Sequence, residues 1–185
     1  MSETPRPVVI VRPAEERDLE AIVAIEEACF ALPWPASVLR EDILENRIAL
    51  YLVAELEGQV AAYLGGWFYD IEFHVGSVAT APQFRRRGLG ELLMLLVLQR
   101  VPLCGTELAL LEYRISNTAA GGLYNKLGFE KVRIRRRYYT DNDEDAVEAM
   151  IADLPSAPVQ RRLGNFLARW RQKYDYELQI TEFGR

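Results

Sequence analysis

The stretch QFRRRGLGELL (83–93) sets three arginines and two glycines directly before an apolar run. Its reading decides the fold, because few architectures place such a turn between a strand and a helix. Upstream, IEFHVGSVAT (71–80) reads as a strand; downstream, GLGELLMLLVLQRV (88–101) reads as a helix that runs until Pro102. Such a junction suits an anion. Glycines let backbone N–H groups approach closely, a helix N-terminus carries about half a positive charge, and Arg85, Arg86 and Arg87 can add charge-assisted bonds. Two phosphate motifs are excluded. A P-loop needs Lys-Ser/Thr after its second glycine, but Gly90 is followed by Glu91 and Leu92. A dinucleotide fingerprint needs a small residue where Leu93 stands. A solvated arginine turn fits this stretch alone equally well, so the neighbours decide.

VVIVR (8–12) reads as a first strand, ended by Pro13. RDLEAIVAIEEACF (17–30) places Leu19, Ile22, Val23, Ile25 and Ala28 on a helical stripe, with Asp18 as its cap. ALPWPAS (31–37) breaks that helix, and Ser37 opens a second one to about Glu45. IALYLVAEL (48–56) and QVAAYLGGWFYD (59–70) form a hairpin turning at Glu57-Gly58. TELALLEYRI (106–115) suits an internal strand buried on both faces. NTAAGGLYNKLG (117–128) is a short helix stopped by Gly128. FEKVRIRRRYYT (129–140) and EDAVEAMIADL (144–154) form a last antiparallel pair around a polar loop at 141–145. The expected fold is one mixed α/β domain over 8–154, a central mixed sheet flanked by helices, after a flexible N-terminus at 1–7. PSAP (155–158) is a break. The C-terminal appendage, 155–185, reads as an amphipathic helix with Val159, Leu163, Phe166, Leu167, Trp170 and Tyr174 on one face, packed on its own domain.

Half of the 185 residues are hydrophobic, and the formal net charge is -5, which argues against a nucleic-acid surface. The basic clusters at 85–87 and 133–137 suit one anionic ligand instead. With only Cys29, Cys104 and the single His74, no metal-ligand spacing occurs; no metal is expected, and the cysteines read as buried free thiols. MSETPRPVVI (1–10) has no signal-peptide core, and no window approaches the ~20 apolar residues of a membrane span. A soluble, cytoplasmic protein is expected.

The pattern Arg85-x-x-Gly88-x-Gly90 after a strand resembles the pyrophosphate loop of GNAT-type acetyltransferases. LEYRISNTAAGGLYNKLGFEKVRIRRRYY (111–139) resembles the second half of that fold in the RimI-like family of ribosomal-protein-alanine N-acetyltransferases, and VRPAEERDLEAIVAIEEACF (11–30), FALPWP (30–35) and EDAVEAM (144–150) agree with it. The likeness spans about 8–154. It implies the GNAT fold, acetyl-CoA as co-substrate and a protein N-terminus as acceptor, with a ribosomal protein beginning with alanine as the candidate. The resemblance puts the catalytic base at Glu112 and the general acid, which protonates the departing thiolate, at Tyr124. It puts the cofactor on Val78, Ala79, Thr80, Arg85, Arg86, Arg87, Gly88, Leu89, Gly90 and Asn117, and the acceptor on Trp34, Tyr138 and Tyr139.

Each role has a plainer reading beside it. Glu112 ends an apolar strand, where desolvation would raise its pKa and make it a better base; it could equally be a structural partner of Arg114 or another arginine. Asn117 is a good helix cap by residue type. His74 could relay a proton, but a satisfied core histidine is the more frequent case. An α-amino group titrates near 7.7–8.0 and a lysine near 10.4, so a lysine acceptor costs roughly 3.5 kcal/mol more to deprotonate. That favours an N-terminal amine for a carboxylate base. The chain departs from the resembled pattern in having Arg85 where Gln is common, and Gly121-Gly122 where an aliphatic residue and an alanine are usual. Two other functions stay open at this point: acetylation of a small amine or lysine side chain, and CoA binding without turnover by a regulatory protein.

Overall fold

The structure, a computed structural model, describes residues 6–183; most of the segment expected to be flexible at 1–7 lies outside the described residues. In chain order the elements are β1 (Val8–Pro13), α1 (Leu19–Cys29), α2 (Ala36–Leu44), β2 (Ala49–Leu56), β3 (Gln59–Tyr69), β4 (Glu72–Thr80), α3 (Leu89–Arg100), β5 (Leu108–Arg114), α4 (Thr118–Leu127), β6 (Glu130–Tyr139), β7 (Glu144–Ile151), α5 (Ala157–Lys173) and β8 (Glu177–Ile180). The strands form one mixed sheet in the order β6-β7-β5-β4-β3-β2-β1-β8.

The β2–β3 hairpin turns where the sequence places it. Glu57 and Gly58 both take positive φ, 56° and 74°, the conformation that matches the right-handed twist of paired strands. Ala61 to Leu64 of β3 are buried at consecutive positions, so helices cover both faces of the sheet there. Helix α3 is apolar all round and almost wholly buried, because it lies between the sheet and α5.

The parallel ladder between β4 and β5 is what opens the molecule. It runs only from Glu72/Leu108 to Val75/Leu111 and then stops, although β4 continues to Thr80 and β5 to Arg114. The cause lies on the other side of β4. Gly65 pairs with Ser77 and Gly66 with Val75, leaving Gly76 as an extra residue that bulges the strand. Only glycine fits there, since a Cβ would run into the Trp67 ring. Two central parallel strands therefore part at their carboxyl ends, the place where open α/β sheets take ligands.

Several local expectations need correction. Asp18 does not cap α1; it is the buried partner of Arg12, at 2.7 and 2.9 Å, and it accepts from the Glu15 N–H at 2.8 Å. The second helix starts at Ala36 with Pro35 as its N-cap, so Ser37 makes no cap bond. On α1 the core stripe includes Glu26 in place of the exposed Ala28. Strand β5 is internal, but Leu108 and Leu110 on one of its faces are only half-buried. The largest omission is β8, a short, mostly exposed strand that pairs parallel with β1 and adds an edge to the sheet after α5. ELQI does alternate polar and apolar residues, but over four positions only, and the reading of 155–185 as one helical appendage passes over it. The stripe on α5 faces the core as expected, with Leu163 and Trp170 buried.

Arg12 and Asp18 are nearly water-free, so removing one charge strands the other. Asp18→Asn is expected to cost about 3 kcal/mol by urea unfolding at pH 7, at the low end for a buried pair because Glu55 still holds Arg12. The pair keeps the Asp18 carboxyl below its usual range despite burial. Its contribution is therefore complete above the ordinary value of 3.8 and is lost as the pH falls through the lower folded value.

Candidate active site

The gap between β4 and β5 continues into a cleft of about 440 Å³. Glu112, Tyr124, Asn117, Val78, Trp34, Tyr138 and Tyr139 all line it, and so does His74. Ala79, Thr80 and the turn 85–90 do not. The turn lies beyond one end of the cleft, and Cys29 connects the two: its thiol donates to the Thr80 carbonyl at 3.4 Å and accepts from Arg85 at 3.3 Å.

Glu112 projects from β5 just past the last β4–β5 pair. Its side chain is 7% exposed and both carboxylate oxygens are occupied: Oε2 meets Nε2 of His74 at 2.7 Å, and Oε1 accepts from Arg135 at 2.5 Å. Burial pushes its pKa up, but His74 and Arg135 together outweigh that and hold it below the usual glutamate range. The raised value expected from the sequence is thus overturned; the bonds to His74 and Arg135 keep this carboxylate ionised. His74 is not a core histidine either. It is 25% exposed, and its pKa is raised, first by the bond to Glu112, against a desolvation penalty. Both line the cleft, and His74 is the more exposed of the pair.

Tyr124 lies on α4, its ring 5.4 Å from that of Tyr113 and 5.8 Å from that of Phe129. Burial pushes its phenol up to about 12, so it stays protonated as a donor. Gly121 makes room for the Tyr113 ring that packs on Tyr124, whereas Gly122 faces open space. Asn117 caps α4, its side-chain oxygen accepting from the Ala120 N–H at 3.1 Å, which leaves the amide NH₂ for other use.

At the other end of the cleft, aromatics are fixed by their neighbours. Trp34 meets Trp67 edge-on at 6.0 Å. The Arg135 guanidinium lies 4.4 Å from the Tyr138 ring centre and that of Arg114 4.0 Å from Tyr139. The 133–137 cluster, expected to serve an anion, is spent within the fold: Arg133 pairs with Glu148, Arg135 with Glu112, Arg136 with Asp145 and Arg137 with Asp143. Sequence reasoning also missed Glu26, a buried carboxylate in the cleft wall that accepts from Tyr63 and from the Trp34 N–H. A glutamate inside the apolar stripe of α1 was its signal. Cys29 and Cys104 are both thiols, and both are half-buried where the sequence suggests full burial.

The turn has the form of an anion cradle. Arg86 and Gly88 take positive φ, 65° and 78°, and Gly88 caps α3 with no side chain to occupy the first helical N–H groups. Gly90 packs beside Thr80 and Val78, which joins the cradle to the free edge of β4. The turn therefore adjoins the free edge of β4, whose Val78 lines the same cleft as Glu112, His74 and the aromatics.

The model of the Acetyltransferase (GNAT) family matches residues 19–129. The chain belongs to this family. It is 38% identical, over 74% of its length and 91% of the other's, to a Bacillus subtilis protein provisionally assigned as a ribosomal protein bS18-alanine N-acetyltransferase. The crystal structure of the Escherichia coli ribosomal-protein-S18-alanine N-acetyltransferase superposes with a TM-score of 0.73 at 30% identity, covering 79% of this chain and 94% of that one. In fold alone, the chain also resembles Arabidopsis thaliana NAA60 solved with acetyl-CoA, at TM-score 0.70 and 15% identity over 78% and 98% of the two chains. The family member described here is an acetyltransferase with the mixed α/β fold expected of it. No helix among the described residues is long and apolar enough to cross a membrane.

Proposed function

We propose that this GNAT acetyltransferase moves the acetyl group of acetyl-CoA to the α-amino group of a protein N-terminus, in the manner of the bS18-alanine enzymes it resembles. The observation that carries the reading is the Glu112–His74 pair in one cleft with Tyr124 and the aromatic end, with the cradle beyond its other end. The acceptor's N-terminus would enter between Trp34, Tyr138 and Tyr139. Arg85 to Gly90 would hold the pyrophosphate of the co-substrate, the free edge of β4 at Val78, Ala79 and Thr80 its extended arm, and Asn117 a further polar group.

When bound, acetyl-CoA supplies the activated thioester; the chain supplies proton management and charge stabilisation. The resemblance makes Glu112 the base, but both its oxygens are engaged, so neutral His74 takes the proton from the acceptor ammonium, directly or through water, and ionised Glu112 stabilises the imidazolium that forms. The freed amine would attack the thioester carbon, with a backbone N–H near Val78 donating to the carbonyl oxygen; as the C–S bond breaks, Tyr124 would donate to the sulfur and regain the proton that the nitrogen sheds in becoming an amide. Thiol release from acetyl-CoA by the pure protein, on peptides beginning with Ala, Ser or Met, tests this. Release is expected; cofactor binding without release on any of them would remove the enzymatic reading.

The pair also fixes a pH dependence. His74 faces Glu112 and, at 3.4 Å, Glu72, with the Arg135 charge opposing them. The carboxylates win and raise its pKa, so the neutral, proton-accepting form appears only above the ordinary 6.5. kcat is expected to climb with pH through a midpoint above 6.5, and Glu112→Gln is expected to move that midpoint down. A midpoint unchanged in the variant would separate His74 from Glu112.

A further inference from the structure

Helix α5 lies outside the residues matched by the family model, yet it ends on the cradle. The Trp170 indole N–H donates to the Gly88 carbonyl at 2.8 Å, and Trp170 is 2% exposed. That same carbonyl accepts the first helical bond of α3, from the Leu92 N–H at 3.0 Å. One oxygen therefore takes a bond from its own helix and a second from α5. Gly88 sits against the aromatic group itself: a Cβ there would run into Tyr174 and the Trp170 indole. Tyr174 packs tilted and Tyr176 stacked on Trp170, at 5.2 and 5.9 Å between ring centres. The far end of α3 is tied down as well, since Arg100 donates to the Phe183 carbonyl at 2.8 Å.

Gly88 has positive φ and no capping side chain, so its carbonyl is held by the helical bond from Leu92 and by the Trp170 indole. The direction of the Gly88 carbonyl is coupled to the N–H groups that follow it, and those are the ones an anion would use. We propose that Trp170 is a positioning residue: its indole clamps the Gly88 peptide and so presets the cradle for the phosphates of acetyl-CoA. The C-terminal helix thereby tunes cofactor affinity from outside the matched domain. The proposal rests on reading residues 85–90 as the cofactor's cradle. Preorganisation of this kind acts on binding and leaves the chemistry at Glu112 alone.

Trp170→Phe keeps an aromatic ring, smaller than the indole, and deletes the donor. The expected result is a rise of about five- to tenfold in the KM for acetyl-CoA and in the Kd for CoA, the yield of one buried hydrogen bond. kcat and the peptide KM should hold at wild-type values. Leu163→Ala, which loosens buried α5 packing away from Gly88, controls for stability: it should lower Tm without moving cofactor KM. Arg86→Ala tests the cradle separately, by weakening CoA binding. Wild-type cofactor constants in Trp170→Phe beside a weakened Arg86→Ala overturn the clamp and spare the cradle. Wild-type constants in both overturn the cradle reading. Equal KM changes in Trp170→Phe and Leu163→Ala would reduce Trp170 to packing and likewise overturn the clamp.

Discussion

Replacing Glu112 by glutamine is expected to lower kcat by about 10²–10⁴-fold with little change in Tm. The amide keeps the shape of the side chain and can still meet His74, but it cannot stabilise an imidazolium. Arg135 would lose its 2.5 Å partner, although Glu148 stands 3.8 Å away to share the charge. The loss should therefore fall on turnover and spare folding. Steady-state kinetics beside thermal unfolding reads both quantities at once. A variant that keeps wild-type kcat would leave Glu112 as the structural arginine partner that the sequence also allowed.

Tyr124→Phe should lower kcat by about 10²-fold, the lower range for a lost general acid. The phenylalanine ring preserves the contacts with Tyr113 and Phe129, so the helix end should stay in place. What disappears is a hydroxyl that burial holds protonated, with its pKa pushed up to about 12. The KM values for cofactor and peptide should stay within a few fold, because the interaction develops only as sulfur takes charge. Unchanged kcat would assign Tyr124 to packing.

How much of this could be read in the sequence varies with the range of the physics. The hairpin at Glu57-Gly58 and the end of α4 at Gly128 follow from local rules of φ and capping, and the structure reproduces them. The gap that makes the site depends on a bulge at Gly76 and on where a parallel ladder ends, and neither is a property of any short window. The pKa of Glu112 was misjudged for the same reason. Burial could be inferred from its strand, but His74 and Arg135 come from positions 38 and 23 residues away and reverse the sign. Arginines at 133–137 looked available to an anion because their carboxylate partners are brought to them by the pairing of β6 with β7. Asp18 shows the same pattern in miniature, a good cap by type taken over by Arg12 from the neighbouring strand.

The acceptor is the central claim, and one peptide can test it. Incubate the pure protein and acetyl-CoA with an alanine-initiated peptide that carries a free N-terminus and one internal lysine, then locate the acetyl group by fragment masses. The account predicts acetylation of the α-nitrogen and none on the lysine, because the α-amine starts roughly 3.5 kcal/mol closer to its neutral form. Acetyl on the lysine side chain alone would keep the family and contradict the proposed function.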